Sequence, residues 1–212
     1  MAEPATERGR ETRERILLAA ARLFHERGVT ATSVDEVLSA AGAGKGQFYR
    51  YFSSKEELVS AVVDRQLDLY LGWQLEALDR LETSAELEGY LDDLVVAHRG
   101  RGLVGGCPVG SLALELAGQD ERLRRRLAES LDLWEAALTT GLSRLAAGGE
   151  LRTDVPPRRL AASLLASIQG AYLLSTVRKD AEVMGAALDE ALDHLLPGRA
   201  NRMDGTASHG TE

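Results

Sequence analysis

Four residues in one short stretch carry groups suited to a polar partner. They are Lys45, Gln47, Tyr49 and Arg50, within Lys45-Gly46-Gln47-Phe48-Tyr49-Arg50-Tyr51-Phe52. Lys45 and Arg50 are cations that suit phosphate. Gln47 carries an amide whose oxygen and nitrogen together match the major-groove edge of adenine. On a helix, Phe48 and Phe52 lie four apart and face inward together, which leaves the polar set on the other side. This is the chemistry of DNA reading, in which phosphate contacts give affinity and register and a few base contacts give sequence choice.

Such a face needs elements to hold it. Ser33 precedes Glu36 by three residues, a capping-box spacing that satisfies free N–H groups at a helix start. Val34, Val37 and Leu38 follow at i, i+3 and i+4, one apolar stripe. Gly42-Ala43-Gly44 breaks that helix, because glycine accepts the left-handed geometry of a sharp turn. Two short helices crossing at a glycine turn make a helix-turn-helix, whose second helix can enter a major groove. An earlier helix is expected over 12–27, with Ile16, Ala20, Leu23 and Phe24 inward and Gly28 just past its end. It leaves 1–10 as a polar arm carrying Arg8 and Arg10 towards phosphate. Ser54 and Glu57 mark another helix start, where Lys55 and free N–H groups can share one phosphate.

Residues 12–58 resemble the DNA-binding domain of TetR-family bacterial transcriptional regulators. The motifs that carry the resemblance are Leu23-Phe24, Gly28, Thr32-Ser33-Val34, Ala40-Ala41-Gly42, Lys45-Gly46-Gln47-Phe48-Tyr49-Arg50-Tyr51-Phe52 and Ser54-Lys55-Glu56-Glu57-Leu58. They stand in the family's order across about a fifth of the chain. The resemblance implies DNA contact at Thr32, Ser33, Lys45, Gly46, Gln47, Tyr49, Arg50 and Lys55, with Lys45 and Gln47 at the groove and the Ser33 region, Tyr49, Arg50 and Lys55 near the backbone. Two positions depart from the pattern. Gly44 replaces a common capping Ser, so that cap is expected to be weaker. Gln47 replaces a small hydroxyl residue, so base readout is expected to differ.

The bulk properties agree once charge is resolved along the chain. The net charge is −8 over 212 residues, which argues against a general nucleic-acid binder. Residues 1–55, however, hold nine Arg and Lys against seven Asp and Glu, while the remainder holds sixteen against twenty-six. The head is therefore at +2 and the rest at −10, an acidic portion to be held off DNA. The single cysteine, Cys107, excludes a disulfide within the chain and fits a reducing cytoplasm. The N-terminus has no apolar stretch for a signal peptide, and no run of about eighteen apolar residues predicts a membrane span.

The rest of the chain reads as helices with no strand alternation and no repeat. A helix follows Ser54 to about Leu78, with Gly72 as an interruption, and another starts at Thr83 with Leu87, Tyr90, Leu91 and Leu94 inward. Residues 100–110 read as a loop. A short apolar segment spans 111–116. Asp120 opens a long helix to about Ala147, and two more cover about 158–177 and 181–196. The expected fold is all-α. It comprises a three-helix helix-turn-helix domain over 1–55, a helical effector-binding and dimerisation domain over 56–196, and a disordered tail over 197–212.

Trp73, Tyr90, Trp134 and Tyr172 combine large apolar bodies with polar handles, and with Leu94, Leu138 and Cys107 they are the expected lining of an effector pocket. Simple core packing is the alternative for each. A lone helix-turn-helix reads too few base pairs for a specific address, so a dimer reading two half-sites is expected. The family resemblance puts the interface on the last two helices, with Leu164, Ile168, Ala171, Met184, Ala187, Leu188 and Ala191 as its candidates.

Together these imply a homodimeric repressor on a palindromic double-stranded operator, released by a small, hydrophobic effector. An activator of the same fold, or a helical interaction module without DNA affinity, are the alternatives. No nucleophile–base constellation points to an enzyme, and no cofactor is implied. The four histidines have no paired ligand spacing, so no metal is expected. Glu86 with Asp92-Asp93, and Glu115 with Asp120-Glu121, read as solvated charges. Cys107 reads as a buried or loop thiol, with redox sensing as the alternative.

Overall fold

The computed structural model describes residues 6–118, 120–151 and 154–196, and every regular element among them is helical. In chain order these are α1 (Glu7–Arg27), α2 (Val34–Ala41), α3 (Lys45–Tyr51), α4 (Lys55–Gln66), a π turn (Leu67–Leu71), α5 (Gly72–Asp79), α6 (Ser84–Gly100), α7 (Pro108–Leu116), α8 (Glu121–Ala147), α9 (Pro157–Arg178) and α10 (Glu182–Leu195). They divide into two compact units. One comprises Met1–Gly72 with Pro108–Ser130, and the other Trp73–Cys107 with Leu131–Glu212.

In the first unit, α1 packs against α2, α3 and α4. Ile16, Leu17, Ala20, Leu23 and Phe24 form its buried stripe, and Val37, Leu38, Phe48, Phe52, Leu58 and Val62 are buried in the same unit. α1 begins at Glu7, five residues before the expected start. The Thr6 side chain accepts the Gly9 N–H at 3.2 Å and caps it, so Arg8 and Arg10 belong to the first helical turn and not to an arm. Polar bonds tie the helices further. Arg15 Nε donates to the Ala41 carbonyl at 3.3 Å, Arg65 Nε to Glu14 at 3.0 Å, and Arg126 pairs with Asp64 at 2.8 Å.

Gly72 does not stop the helix. Its φ of −54° and ψ of −46° are helical, and the irregularity expected there falls one turn earlier, as the π turn. α6 likewise runs through Gly100, and Pro108 opens α7, so the expected loop over 100–110 shrinks to 101–107.

In the second unit, Thr83 and Glu86 cap α6 reciprocally, and Glu150 accepts the Ser84 N–H at 2.7 Å. The end of α5 is held from afar. The Arg144 guanidinium on α8 donates to the carbonyls of Leu78, Asp79 and Leu81 at 2.8, 2.8 and 2.9 Å. Three carbonyls at and just past a helix end thus share one planar cation. Gly141 lies against Leu81 so closely that an added Cβ would come within 2.5 Å of its Cδ2.

α9 and α10 pack side by side, with Leu164, Ile168, Met184 and Leu188 buried. By length and composition alone α9 could cross a bilayer, although no uninterrupted apolar run flags it. The expected tail over 197–212 lies outside the described residues.

Candidate nucleic-acid interface

The turn into α3 is built as the glycines require. Gly42 adopts φ 60° and ψ 39°, the left-handed region, and its N–H donates back to the Leu38 and Ser39 carbonyls. Gly44 then sits at the N-cap of α3 with extended backbone and no side chain to cap with. Gln47 supplies the missing half from inside the helix, its Oε1 accepting the Gly44 N–H at 2.9 Å. Phe48 is buried and meets Phe52 at 5.5 Å, ring centre to ring centre. That anchoring turns Lys45, Gly46, Gln47, Tyr49 and Arg50 to the surface. Tyr49 is 66 % exposed and leans edge-on against Phe48, which stiffens it at small entropic cost. Lys45 reaches Asp35 on α2 at 3.1 Å, an exposed pair worth little and easily traded for phosphate.

Ser33 is exposed and caps α2 as expected. Its hydroxyl accepts the Glu36 N–H at 3.2 Å and donates to Glu36 at 2.7 Å, and its own N–H donates to the same carboxylate at 2.8 Å. These bonds hold the Glu36 carboxyl below its ordinary value. Lys55 is half-buried at the first position of α4, where Ser54 caps. Thr32 departs from expectation. It is 1 % exposed, and its hydroxyl donates to the Gly28 carbonyl at 2.8 Å, closing the α1–α2 turn. Its side chain thus has no surface to offer a phosphate.

That turn has a second brace that sequence reasoning read as a solvated charge. Glu115 on α7 accepts the N–H of Val29 at 2.9 Å and of Thr30 at 2.8 Å. The carboxylate lies 3.3 Å from where a Cβ on Gly28 would stand, and Gly28 itself holds φ 86° and ψ 157°. Only glycine combines that backbone with that approach.

The second unit buries the expected pocket residues in its interior, Trp73 excepted. Trp134 Nε1 donates to the Tyr90 hydroxyl at 2.8 Å, and Tyr90 donates onward to Gln74 Oε1. Burial pushes the Tyr90 phenol well above its ordinary range. Trp73 is partly exposed and stacks on Tyr90 at 6.2 Å. Tyr172 meets His98 edge-on at 4.9 Å, and Thr176 Oγ1 lies 3.2 Å from His98 Nε2. Leu94, Leu138 and Cys107 are buried as well. Sequence reasoning missed Gln74 and His98. Both occupy inward positions, four before Leu78 and four after Leu94, so their helical register was the available signal. Gln74 is 0 % exposed, and its Nε2 has no partner among the described residues.

Of the dimerisation candidates, Leu164, Ile168, Ala171, Met184 and Leu188 are buried within the one chain. Only Ala187 and Ala191 are partly open, lining a groove of about 360 Å³ with Leu160, Ser163 and Ser167. The other side of α9 carries Ala166, Gly170, Leu173 and Val177 in one stripe. Leu173 is 59 % exposed and Val177 73 %.

Among protein families, the model described as "Bacterial regulatory proteins, tetR family" matches residues 16–62, and "Tetracyclin repressor-like, C-terminal domain" matches 83–191. An uncharacterized HTH-type transcriptional regulator in the lacX 3' region of Lactococcus lactis subsp. lactis is 34% identical over 85% of this chain and 91% of its own length. The HTH-type transcriptional repressor DhaR of Mycobacterium sp. (strain GP1) is 26% identical over 89% of this chain and 94% of its own. Among solved structures, regulatory protein TetR from Rhodobacter sphaeroides superposes with a TM-score of 0.80 at 25% identity, covering 87% of this chain and 99% of that one.

Proposed function

Because the chain belongs to the TetR family of bacterial regulatory proteins, DNA-binding transcriptional regulators and not enzymes, we propose that it is a ligand-released repressor. In this reading a homodimer occupies a palindromic operator in the cytoplasm, and a small, hydrophobic effector discharges it. The observation that carries the reading is the orientation of α3. Phe48 is buried while Lys45, Gln47, Tyr49 and Arg50 face outward, so the polar set lies on the solvent side of α3 where DNA would meet it.

The division of labour follows the sequence. Residues 1–55 bind DNA, with Ser33, Tyr49, Arg50 and Lys55 on the backbone and Lys45 and Gln47 at the groove. Residues 56–196 bind the effector and form the dimer. One copy of α3 spans too few base pairs, so two copies must be held at half-site spacing. The exposed stripe Ala166, Gly170, Leu173 and Val177, whose two glycine and alanine members permit close helix approach, supports dimerisation through α9 and α10. A relative named as a repressor supports repression over activation.

The effector is held beside the Trp134–Tyr90–Gln74 chain, where Gln74 Nε2, without a partner among the described residues, offers a donor within apolar walls. It releases DNA only by binding the two forms of the dimer unequally. Titrating the full-length protein onto an operator recovered by selection tests the reading. Binding should be dimeric, should weaken steeply with salt, and should be reversed by an apolar ligand that quenches Trp134 fluorescence. A monomer at working concentration, or salt-independent binding, overturns it.

A further inference from the structure

The geometry points to Gln47 reading its base as a hydrogen-bond donor alone, selecting the acceptor edge of guanine and not the donor–acceptor edge of adenine. This inference rests on the proposed entry of α3 into the major groove. It starts from Gly44, which has no side chain to satisfy the free groups at the start of α3. The Gln47 side chain folds back, and its Oε1 accepts the Gly44 N–H at 2.9 Å. The assignment of oxygen and nitrogen is not arbitrary here. An N–H can only face the amide oxygen, so Nε2 must point away. Gln47 is exposed, so the outward group at this position is an NH₂ with two hydrogens to give and no lone pair to offer.

The groove edges separate on that basis. Adenine shows N7 as acceptor and N6 as donor, and pairing with both takes the oxygen and the nitrogen of a glutamine amide together. Guanine shows two acceptors side by side, N7 and O6, and thymine shows O4 beside its methyl group. With Oε1 turned to Gly44, Nε2 can give its two hydrogens to N7 and O6 of guanine or one to O4 of thymine, whereas adenine offers only N7 and sets its N6 donor beside the second hydrogen. The adenine pair would also set Oε1 against N6 while the same oxygen serves the Gly44 N–H, dividing its two lone pairs between them. A hydrogen bond of this kind is worth roughly two- to tenfold in an equilibrium, and the same factor is the expected preference for guanine over adenine. Gly44 and Gln47, the two residues that depart from the family pattern, thus act together. The glycine leaves the helix start uncapped, the glutamine caps it, and the cap fixes which half of the amide faces DNA.

Selection of bound duplexes from a random library by the full-length protein, with each operator position then varied singly, is the test. Wild type should enrich guanine, with thymine second, at one position per half-site. Gln47→Ala should level that position by roughly two- to tenfold and leave the others unchanged. Gln47→Glu keeps an acceptor for the Gly44 N–H but presents no donor, so the same position should shift towards cytosine, whose N4 donates. Adenine enriched by wild type at the position that Gln47→Ala levels would overturn the inference, as would a Gln47→Ala profile identical to wild type. Failure of wild type to enrich any sequence would overturn it differently, by removing the groove entry on which it rests.

Discussion

Removing the Glu115 carboxylate should loosen the turn that leads into α2. In Glu115→Ala, the N–H groups of Val29 and Thr30 lose acceptors at 2.9 and 2.8 Å. The two losses are unequal. Val29 is buried, so its N–H cannot readily turn to water, and a bond to a charged acceptor in that setting is worth about 1.5–3 kcal/mol. Thr30 is exposed and water replaces its partner, so that bond adds less than about 1 kcal/mol. The expected loss is about 2–3 kcal/mol, read from urea denaturation with an unchanged slope. Glu115→Gln keeps one carbonyl oxygen and should lose roughly half of it. Amide hydrogen exchange locates the effect, because Val29 and Thr30 should exchange faster while Leu58 and Val62 in α4 keep their protection. Operator affinity should fall alongside, since Ser33 and α2 follow directly from this turn. A loss under about 0.5 kcal/mol, with Val29 protection intact, would refute the assigned role of the carboxylate.

Three further outcomes follow. Replacing Leu173 and Val177 on α9 by Glu should leave the helical spectrum unchanged, because both side chains are exposed, but should give monomers in sedimentation and abolish operator binding. Gly141→Ala should cost about 1–3 kcal/mol in thermal or urea unfolding, since its Cβ would press within 2.5 Å of Leu81, and Leu81→Ala in the same chain should recover part of that. The Glu36 carboxyl lies below its ordinary value because of Ser33, so its contribution is present above about pH 4.5 and is lost as pH falls through the lowered folded value. Glu121, drawn down to about 2 by Arg124 and Arg125, behaves alike further into acid. A pH titration of stability should show the Glu36 step vanish in Glu36→Gln.

Local signals carried much of this fold. The Ser33–Glu36 and Thr83–Glu86 spacings, the Gly42 turn and the inward Phe48–Phe52 pair each act within four residues, and each is where the sequence puts it. Signals that failed depend on distance or on competition. Glu115 reads as one more surface acid because its partners lie 85 and 86 residues away. Gln74 and His98 drew no notice because polarity usually means water, yet both are buried. The strongest apolar stripe on α9 and α10 is the one the chain covers itself. The outer stripe is weaker in the sequence, being diluted by Ala166 and Gly170. Gly72 shows the limit of a breaker signal, since the helix continues through it.

The arginine that holds the end of α5 also bears on how the protein is made. A ribosome delivers Leu78, Asp79 and Leu81 long before Arg144, some 63 to 66 residues later. Until α8 has left the exit tunnel, the carbonyls at the end of α5 lack this cation, and Leu81 has no Gly141 to rest on. A nascent chain stalled at about residue 120 should therefore carry a frayed α5, and one stalled beyond about residue 180 a fixed one. In this half of the molecule, a helix's stopping point is settled by translation still to come.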